Sequence, residues 1–232
     1  MTADPLTETL TVPRPQGGTL DAYLAKPAGG GPFPGVVVIH EIFGLNENIR
    51  DIARRFANEG YVALAVDLFS AGSRVACMTR IFHGILVRPL SNGVVGDLRS
   101  ALDVLRRRPE VNARRVGVIG FCMGGSYALQ LACVDEDLRA ASVFYGQNPR
   151  PLDALAGSCP IVGSYPEKDF TASAARQLEE RLEAHQVAHD IKIYPNARHS
   201  FFNDTGPAYQ AEAAEDAWKR TLMFFEERLQ TA

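Results

Sequence analysis

The sequence predicts an α/β fold with a mostly parallel central sheet and helices on both faces. Short apolar runs alternate with longer amphipathic segments along nearly the whole chain, which is the pattern of strand–helix–strand units. Runs such as PGVVVIH and YVALAVDLF are apolar at almost every position, as expected of strands that a parallel sheet buries on both faces. These two observations favour helices packed against both sides of one sheet.

Length and composition favour a soluble globular protein. The 232 residues predict one domain over positions 1–232, and 46% of them are hydrophobic and 22% charged. A net charge of −3 gives no basic footprint for nucleic acid or an anionic membrane. No apolar stretch approaches the roughly 20 residues that span a bilayer. The first residues, MTADPLTETLTVPRPQ, lack a basic segment followed by an apolar run, so we expect no secretory signal and a cytoplasmic location.

The four cysteines lie far apart in the sequence and form no C-x-x-C pair. They are Cys77, Cys122, Cys133 and Cys159. This spacing argues against a zinc site and against a disulfide framework. We therefore expect free thiols, no metal and no organic cofactor.

Each predicted element follows from its local pattern. Residues 7–12 and 19–25 alternate between apolar and polar side chains around a turn, which predicts two antiparallel strands. Further strands are predicted at 34–40, 61–69, 114–121, 140–146, 159–166 and 189–195. Helices are predicted at 46–60, 94–109, 124–134, 172–185 and 211–229. Asn46 is the expected cap of the first helix, Gly60 its stop, and Pro109 the end of the second helix.

Residues 70–93 interrupt this alternation. Their polarity is mixed and shows no clean period, so we predict an irregular loop or cap. The segment follows the carboxyl end of a strand, where open α/β sheets bind ligands. We expect it to shape the substrate site, with His83 near the substrate.

A cysteine stands at the junction of a predicted strand and a predicted helix, within VGVIGFCMGGSYALQLA at 116–132. Cys122 is flanked by Gly120, Gly124 and Gly125, small residues that allow the sharp turn of a nucleophile elbow. The positive end of the following helix favours a thiolate there. Cys122 is either a nucleophile or a small apolar side chain in a buried turn.

An acid and a histidine follow in the order expected of the α/β-hydrolase arrangement. Asp169 comes after the strand CPIVGSYP, and His199 after the strand HDIKIYP. Taken singly, Asp169 could cap a loop and His199 could be a surface histidine. Because all three positions lie at strand carboxyl ends, we predict a Cys122–His199–Asp169 triad in which the histidine takes the thiol proton.

The segment HEIFG at 40–44 follows the third predicted strand, in the place that supplies an oxyanion N–H in this arrangement. We predict that Ile42 and Met123 donate the two N–H groups. His40 is expected to pack or form a hydrogen bond at the strand end. Glu41 is either a solvated loop residue or a partner of Cys122. Position 44 is glycine, so the segment is not the H-E-x-x-H zinc motif.

The chain resembles the dienelactone hydrolase family through HEIFG, DLF, GFCMGG, FYG, KD and HSF, spread over nearly its whole length. The resemblance implies the α/β-hydrolase fold and the triad above. The best-known member opens the lactone ring of a carboxymethylene-butenolide. The resemblance also implies that Glu41 keeps the thiol neutral at rest and accepts its proton when substrate binds. Tyr145 matches a tyrosine that lines the family's pocket.

The family's substrate arginines are only partly matched. Asn203 stands where the resemblance implies one arginine, and near the other position the chain carries Arg74, with Arg80 and Arg88 further along. An asparagine does not replace the bidentate grip of an arginine on a carboxylate. We predict a substrate-binding set of Tyr145, Arg74, Arg80, Phe43 and Asn203.

The sequence as a whole predicts a hydrolase that cleaves a small ester or lactone through a thioester on Cys122. Two alternatives stay open. One is a general carboxylesterase or thioesterase without a lactone preference, and the other is a non-catalytic, thiol-sensing protein. The expected partner is a small molecule, not nucleic acid or membrane, and the expected state is a monomer or homodimer.

Overall fold

Eight strands form one sheet in the computed structural model, which describes residues 4–230. In chain order they are β1 (Leu6–Pro13), β2 (Thr19–Lys26), β3 (Phe33–Ile39), β4 (Val62–Val66), β5 (Val111–Phe121), β6 (Ala140–Phe144), β7 (Ile161–Lys168) and β8 (His189–Arg198). The spatial order is β1-β2-β4-β3-β5-β6-β7-β8. β1 and β2 pair antiparallel with each other, β2 pairs antiparallel with β4, and every other neighbouring pair is parallel. The predicted fold class and the predicted antiparallel pair are confirmed.

Helices cover both faces of the sheet. They are α1 (Glu47–Asn58), α2 (Arg74–Leu86), α3 (Gly93–Arg106), α4 (Met123–Val134), α5 (Ala172–Ala184) and α6 (Ala211–Phe225), and α6 continues into a π-helical turn, Glu226–Gln230. Apolar residues of α1 and α6 form one core layer, and those of α2 to α5 form the other. Alternate residues of β3 enter the two layers. Val37 and Ile39 pack in the layer of α2 to α5, and Val36 and Val38 pack in the layer of α1 and α6. This alternation explains why the strand is apolar throughout.

The ends of α1 confirm the predicted start and stop. The Asn46 side chain accepts a hydrogen bond of 3.1 Å from the Ile49 N–H, which satisfies one of the free donors of the first turn. Gly60 lies just beyond the helix with φ of +87°, a conformation that glycine adopts without strain. α3 ends at Arg106, before Pro109 is reached.

The prediction of an irregular segment at 70–93 is wrong over Arg74–Leu86, which is helix α2. Ser73 caps it by accepting a hydrogen bond from the Ala76 N–H, and Cys77, Ile81 and Gly84 form its buried face. The helical period was hidden because large apolar side chains also lie on the exposed side of this helix and just beyond it. They are Val75, Phe82, Leu86 and Val87.

Two buried contacts fix α2 against the rest of the protein. The Arg80 guanidinium pairs with the fully buried carboxylate of Asp97 on α3, which Arg14 also binds at 3.2 Å. The Tyr127 hydroxyl on α4 donates a hydrogen bond of 2.7 Å to the Ile81 carbonyl. The helix is therefore an integral part of the structure at the carboxyl edge of the sheet. No helix within residues 4–230 is both long enough and apolar enough to cross a bilayer.

Candidate active site

Cys122 occupies the sharp turn between β5 and α4. Its backbone has φ of +56° and ψ of −117°, a conformation that costs a non-glycine residue about 1–3 kcal/mol. The Cys122 N–H donates to the Phe144 carbonyl at 3.0 Å, and its own carbonyl accepts from the Ser126 N–H at 3.1 Å. These backbone contacts hold the side chain at the carboxyl edge of the sheet.

The glycines around Cys122 are required by close backbone packing. A Cβ on Gly120 would lie 2.0 Å from the Gly124 carbonyl oxygen. A Cβ on Gly124 would lie 2.4 Å from the Ile39 carbonyl oxygen, at the end of β3. The missing side chains therefore bring the turn directly against the segment at 40–44.

His199 and Asp169 meet beside this turn. Asp169 directly follows β7, and His199 directly follows β8. The His199 Nδ1 lies 2.7 Å from Asp169 Oδ2, which also accepts a hydrogen bond of 2.5 Å from the Thr171 hydroxyl. The carboxylate accepts at that oxygen, so Nδ1 carries the proton and Nε2 is left unprotonated in the neutral ring. The Phe170 ring stacks on the imidazole at 5.3 Å between centroids.

A cavity of about 290 Å³ opens at this edge of the sheet. Its wall consists of Phe82, Ile85, Leu86, Cys122, Met123, Ser126, Tyr145, Gln147, Asn148, Arg150, Phe170 and His199. The wall is mainly apolar, and Leu86 and Phe170 are 64% and 68% exposed at its rim. The cavity thus brings the predicted nucleophile, histidine and tyrosine together with part of α2.

The Cys122 thiol is protonated in the free protein. Burial raises its pKa to about 12 from an ordinary value of 9.0, and the negative charges of Glu41 and Asp169 add to the rise. The Met123 N–H, which bonds the thiol, acts in the opposite direction. The net effect is a neutral thiol at physiological pH.

Glu41 is buried, with 4% of its surface exposed, so it is not a solvated loop residue. Its Oε1 accepts a hydrogen bond of 2.7 Å from the Ser200 hydroxyl, and its Oε2 accepts one of 3.1 Å from the Asn203 Nδ2. The Asn203 amide is oriented by Thr205, whose N–H and hydroxyl both donate to its Oδ1. The Tyr145 hydroxyl is buried beside Glu41 but makes no hydrogen bond of good geometry within the described residues.

This arrangement places Asn203 differently from the sequence prediction. Asn203 is buried against Glu41 and does not line the cavity. Its side-chain donor is occupied by the carboxylate, which the sequence could not show. Phe43 is also outside the cavity wall, with 53% of its surface exposed.

The predicted oxyanion donors lie on either side of the elbow. Met123 is the first residue of α4, so its N–H has no partner one turn earlier in the helix. The Ile42 N–H donates to no protein group within the part of the chain that the structure describes. The Ile42 N–H is therefore free within the described residues, whereas the Met123 N–H contacts the Cys122 sulfur.

The predicted arginines do not line the cavity. Arg80 binds Asp97, and Arg88 is exposed outside the wall. Arg74 donates a hydrogen bond of 2.6 Å to the Ile42 carbonyl and lies over the Phe69 ring at 4.6 Å. Arg74 and Arg80 are therefore held by other protein groups in the free protein, and their contact with substrate stays a prediction.

Sequence reasoning missed the arginine that does line the cavity. Arg150 follows β6 in the segment GQNPRP, and no carboxylate within the described residues pairs with it. Nothing in the local sequence distinguishes it from a surface arginine, because tertiary packing brings this segment to the cavity. The described residues contain no group of three or more His, Cys, Asp or Glu side chains suited to a metal ion.

The α/β-hydrolase class of enzymes has a mostly parallel sheet with a strained turn between one strand and the next helix. In this class the turn carries the nucleophile, and the loops after later strands supply an acid and a histidine. Within that class the chain belongs to the dienelactone hydrolase family, whose sequence model matches residues 20–229. The resemblance predicted from the sequence is confirmed, and so is its implication of a carboxylic ester hydrolase.

Curated sequences and a solved structure agree with this assignment. Two curated relatives are both named "Putative carboxymethylenebutenolidase". The one from Methylorubrum extorquens is 32% identical over 90% of this chain and 77% of its own length. The one from Saccharolobus solfataricus is 36% identical over 90% of this chain and 94% of its own length. A Klebsiella pneumoniae crystal structure, described as a "Putative Dienelactone Hydrolase", matches with a TM-score of 0.86 at 30% identity, over 97% of this chain and all of that one.

Proposed function

We propose that the protein hydrolyses a small ester or lactone through a thioester on Cys122. The observation that carries the proposal is that the His199 imidazole, hydrogen-bonded to Asp169, lines the same apolar cavity as the elbow thiol. A thiol, an oriented imidazole and a carboxylate in this chain order are the components of nucleophilic acyl transfer.

The reaction has two halves. His199 Nε2 takes the thiol proton as Cys122 Sγ attacks the carbonyl carbon, and the negative oxygen is held by the N–H groups of Ile42 and Met123. The tetrahedral intermediate collapses, the C–O bond breaks, and the leaving oxygen takes the proton from His199. Water then attacks the thioester with His199 as base, and the sulfur leaves with its proton restored.

Glu41 keeps the nucleophile in its neutral form until substrate arrives. Its carboxylate is one of the groups that raise the Cys122 pKa. The bonds from Ser200 and Asn203 hold it in place, and no lysine or arginine in the described part of the chain forms an ion pair with it. The protonated thiol is therefore the resting state, and the attacking thiolate forms only during the reaction.

The cavity supports a substrate with an apolar body and an acidic group. Apolar side chains form most of the wall, whereas Arg150, on the same wall, pairs with no carboxylate among residues 4–230. A guanidinium binds a carboxylate through charge-assisted hydrogen bonds. The relatives' names refer to a lactone that carries a carboxymethylene group, which matches this combination.

The first experiment compares wild type with Cys122→Ala on cis- and trans-dienelactone and on a neutral p-nitrophenyl ester. We expect the variant to fold normally and to lose at least about a thousandfold in kcat, because the covalent route is removed. Cys133→Ala, another free thiol outside the cavity, is the matched control and should keep its activity. Turnover retained by Cys122→Ala would reject the thioester mechanism.

The same substrates test the role of Arg150. Arg150→Gln should raise KM for the acidic lactone about 10- to 100-fold, the value of a hydrogen bond between charged groups, and leave the neutral ester unaffected. Arg88→Gln is the matched control on an exposed arginine outside the wall. Equal behaviour of the two variants on the lactone would favour the general carboxylesterase or thioesterase instead.

The thiol-sensing alternative is disfavoured by the electrostatics of the site. Sensor cysteines have a lowered pKa and react readily as thiolates. Burial and two nearby carboxylates instead raise the pKa of Cys122. Rapid modification of Cys122 without hydrolysis of any ester would support the sensing function.

A further inference from the structure

The peptide group between Glu41 and Ile42 is held by the side chain that precedes it. The Glu41 carbonyl oxygen lies 2.5 Å from His40 Nδ1 and accepts a second hydrogen bond, of 3.2 Å, from the Gly44 N–H. The N–H of this same peptide belongs to Ile42 and has no protein acceptor within the described residues. The carbonyl of this peptide thus accepts two hydrogen bonds, and its N–H is free for a ligand.

The surroundings of His40 select one neutral tautomer. The ring is fully buried, and the Leu68 N–H points at Nε2 from 3.0 Å, so Nε2 is the acceptor. The Asp67 carboxylate lies 3.6 Å from Nε2, but its Oδ1 already accepts the Phe69 N–H at 2.9 Å. The single ring proton is therefore on Nδ1, where it is donated to the Glu41 carbonyl.

We infer that His40 is a positioning residue that aims the Ile42 N–H at the oxyanion by holding the carbonyl of the same peptide. The inference rests on the proposed function. A trans peptide is planar with its N–H opposite its C=O, so fixing the oxygen also fixes the direction of the N–H. Donation into the carbonyl also polarises the amide and strengthens its N–H as a donor.

Two further contacts hold the same loop. The Arg74 guanidinium donates to the next carbonyl, that of Ile42, at 2.6 Å and so ties the loop to the first turn of α2. Gly124 packs directly against the carbonyls of Ile39 and His40, which sets the loop beside the Met123 N–H. The N–H groups of Ile42 and Met123 therefore lie on backbone segments that are fixed against each other before substrate binds.

A pair of His40 variants distinguishes the roles of the two ring nitrogens. Asn places its amide nitrogen close to the position of Nδ1, so His40→Asn retains a donor for the Glu41 carbonyl. Gln reaches the position of Nε2, so His40→Gln keeps the contact with Leu68 and loses the donor for Glu41. His189→Gln, at the first residue of β8 and outside the cavity wall, is the matched control.

Two reactions of each variant are measured. Acylation by a p-nitrophenyl ester, read from the pre-steady-state burst, requires an oxyanion site. Alkylation of Cys122 by iodoacetamide does not, because no carbonyl oxygen gains charge. We expect acylation of His40→Gln to be about 10- to 100-fold slower, and the upper value corresponds to the loss of a full oxyanion donor. Its KM and its alkylation rate should be normal. His40→Asn should recover most of the acylation rate.

Other outcomes overturn the inference. Normal acylation by His40→Gln, or acylation and alkylation that fall together in both variants, would reduce His40 to a structural residue. If the buried variants fail to fold, nitrogen NMR of the wild-type His40 ring provides a second arm. A ring that carries its proton on Nε2 instead of Nδ1 would have no donor for the Glu41 carbonyl and would also reject the positioning role. If wild type forms no acyl-enzyme, the proposed function fails first.

Discussion

Cys122 combines a strained backbone with a neutral side chain. The positive φ angle at the elbow exposes the sulfur to the cavity, and the backbone hydrogen bonds of Cys122 hold this conformation in place. Burial and two carboxylates then keep the proton on the sulfur. Reactivity at this residue therefore depends first on its burial and then on the charge of its neighbours.

Removing the charge of Glu41 should make the resting thiol more reactive. Glu41→Gln lowers the Cys122 pKa, and alkylation by iodoacetamide at pH 8 should accelerate about threefold for each unit of that decrease, since nucleophilicity falls as basicity falls. Hydrolysis should decrease in the same variant, because a glutamine amide nitrogen cannot accept from Asn203 Nδ2 and the change disturbs the loop that carries His199. The alkylation rate is measured by mass spectrometry.

Glu47→Gln is the matched control, because Glu47 is an exposed carboxylate on the first turn of α1. An unchanged alkylation rate in Glu41→Gln would show that burial alone holds the proton on Cys122.

At the scale of residues, the sequence could predict a role only where a motif fixes the position. Cys122, Asp169 and His199 each directly follow a strand or lie in a recognisable turn, so their convergence could be predicted. Asn203 was placed in the substrate site because no local signal shows that Glu41 takes its amide. Arg150 was missed for the same reason: its position depends on how the segment after β6 packs.

Helix α2 supplies one wall of the cavity and is anchored by a buried charge. Asp97 is fully buried and receives both Arg80 from α2 and Arg14 from the turn between β1 and β2. Three parts of the chain thus meet on one carboxylate. The position of Phe82, Ile85 and Leu86 in the wall depends on this contact.

Asp97→Asn should therefore destabilise the protein and loosen the cavity. We expect a loss of about 3–5 kcal/mol in unfolding free energy, because two partly buried guanidinium groups lose their counter-charge. Urea denaturation measures the loss, and KM for the neutral ester should rise as α2 shifts. Asp103→Asn, at a largely exposed aspartate of the same helix, should change stability by less than about 0.5 kcal/mol. Equal stabilities of the two variants would contradict this account.

At the scale of elements, the periodicity of α1 and α3 gave correct helices, and the apolar strands were located to within a few residues. The hydrophobic periodicity did not reveal α2, because apolar residues also occupy the solvent side of this helix, where it forms the cavity rim. Ser73 was the available sequence signal for this helix. Serine is a preferred N-cap residue, and its side chain here accepts a hydrogen bond from the N–H three residues later.

The whole molecule should lose stability in alkaline solution. Burial raises the pKa of Cys133 to about 12, burial with nearby carboxylates does the same for Cys122, and burial also raises that of Cys159. The ordinary value is 9.0. A raised pKa means that the folded state holds its proton more tightly, so the stabilisation is complete below pH 9 and is lost as the pH rises above it.

Each thiol should remove about 1.4 kcal/mol of unfolding free energy per pH unit above pH 9, until its folded-state pKa is reached. Thermal unfolding between pH 7 and pH 11 should show Tm constant at first and falling above pH 9. Cys133→Ala removes one titrating thiol, so its slope should be shallower than that of wild type. A Tm independent of pH up to 11 would refute the assignment.

The bond between Ser200 and Glu41 joins residues 159 positions apart, and the site also needs β5 and β7 in place between them. Contacts of such sequence separation form late, because the chain must close long loops before the contacts can stabilise it. Recovery of hydrolysis after dilution from denaturant should therefore lag behind the return of helical circular dichroism. Catalysis in this protein is a reporter of the last step of its folding.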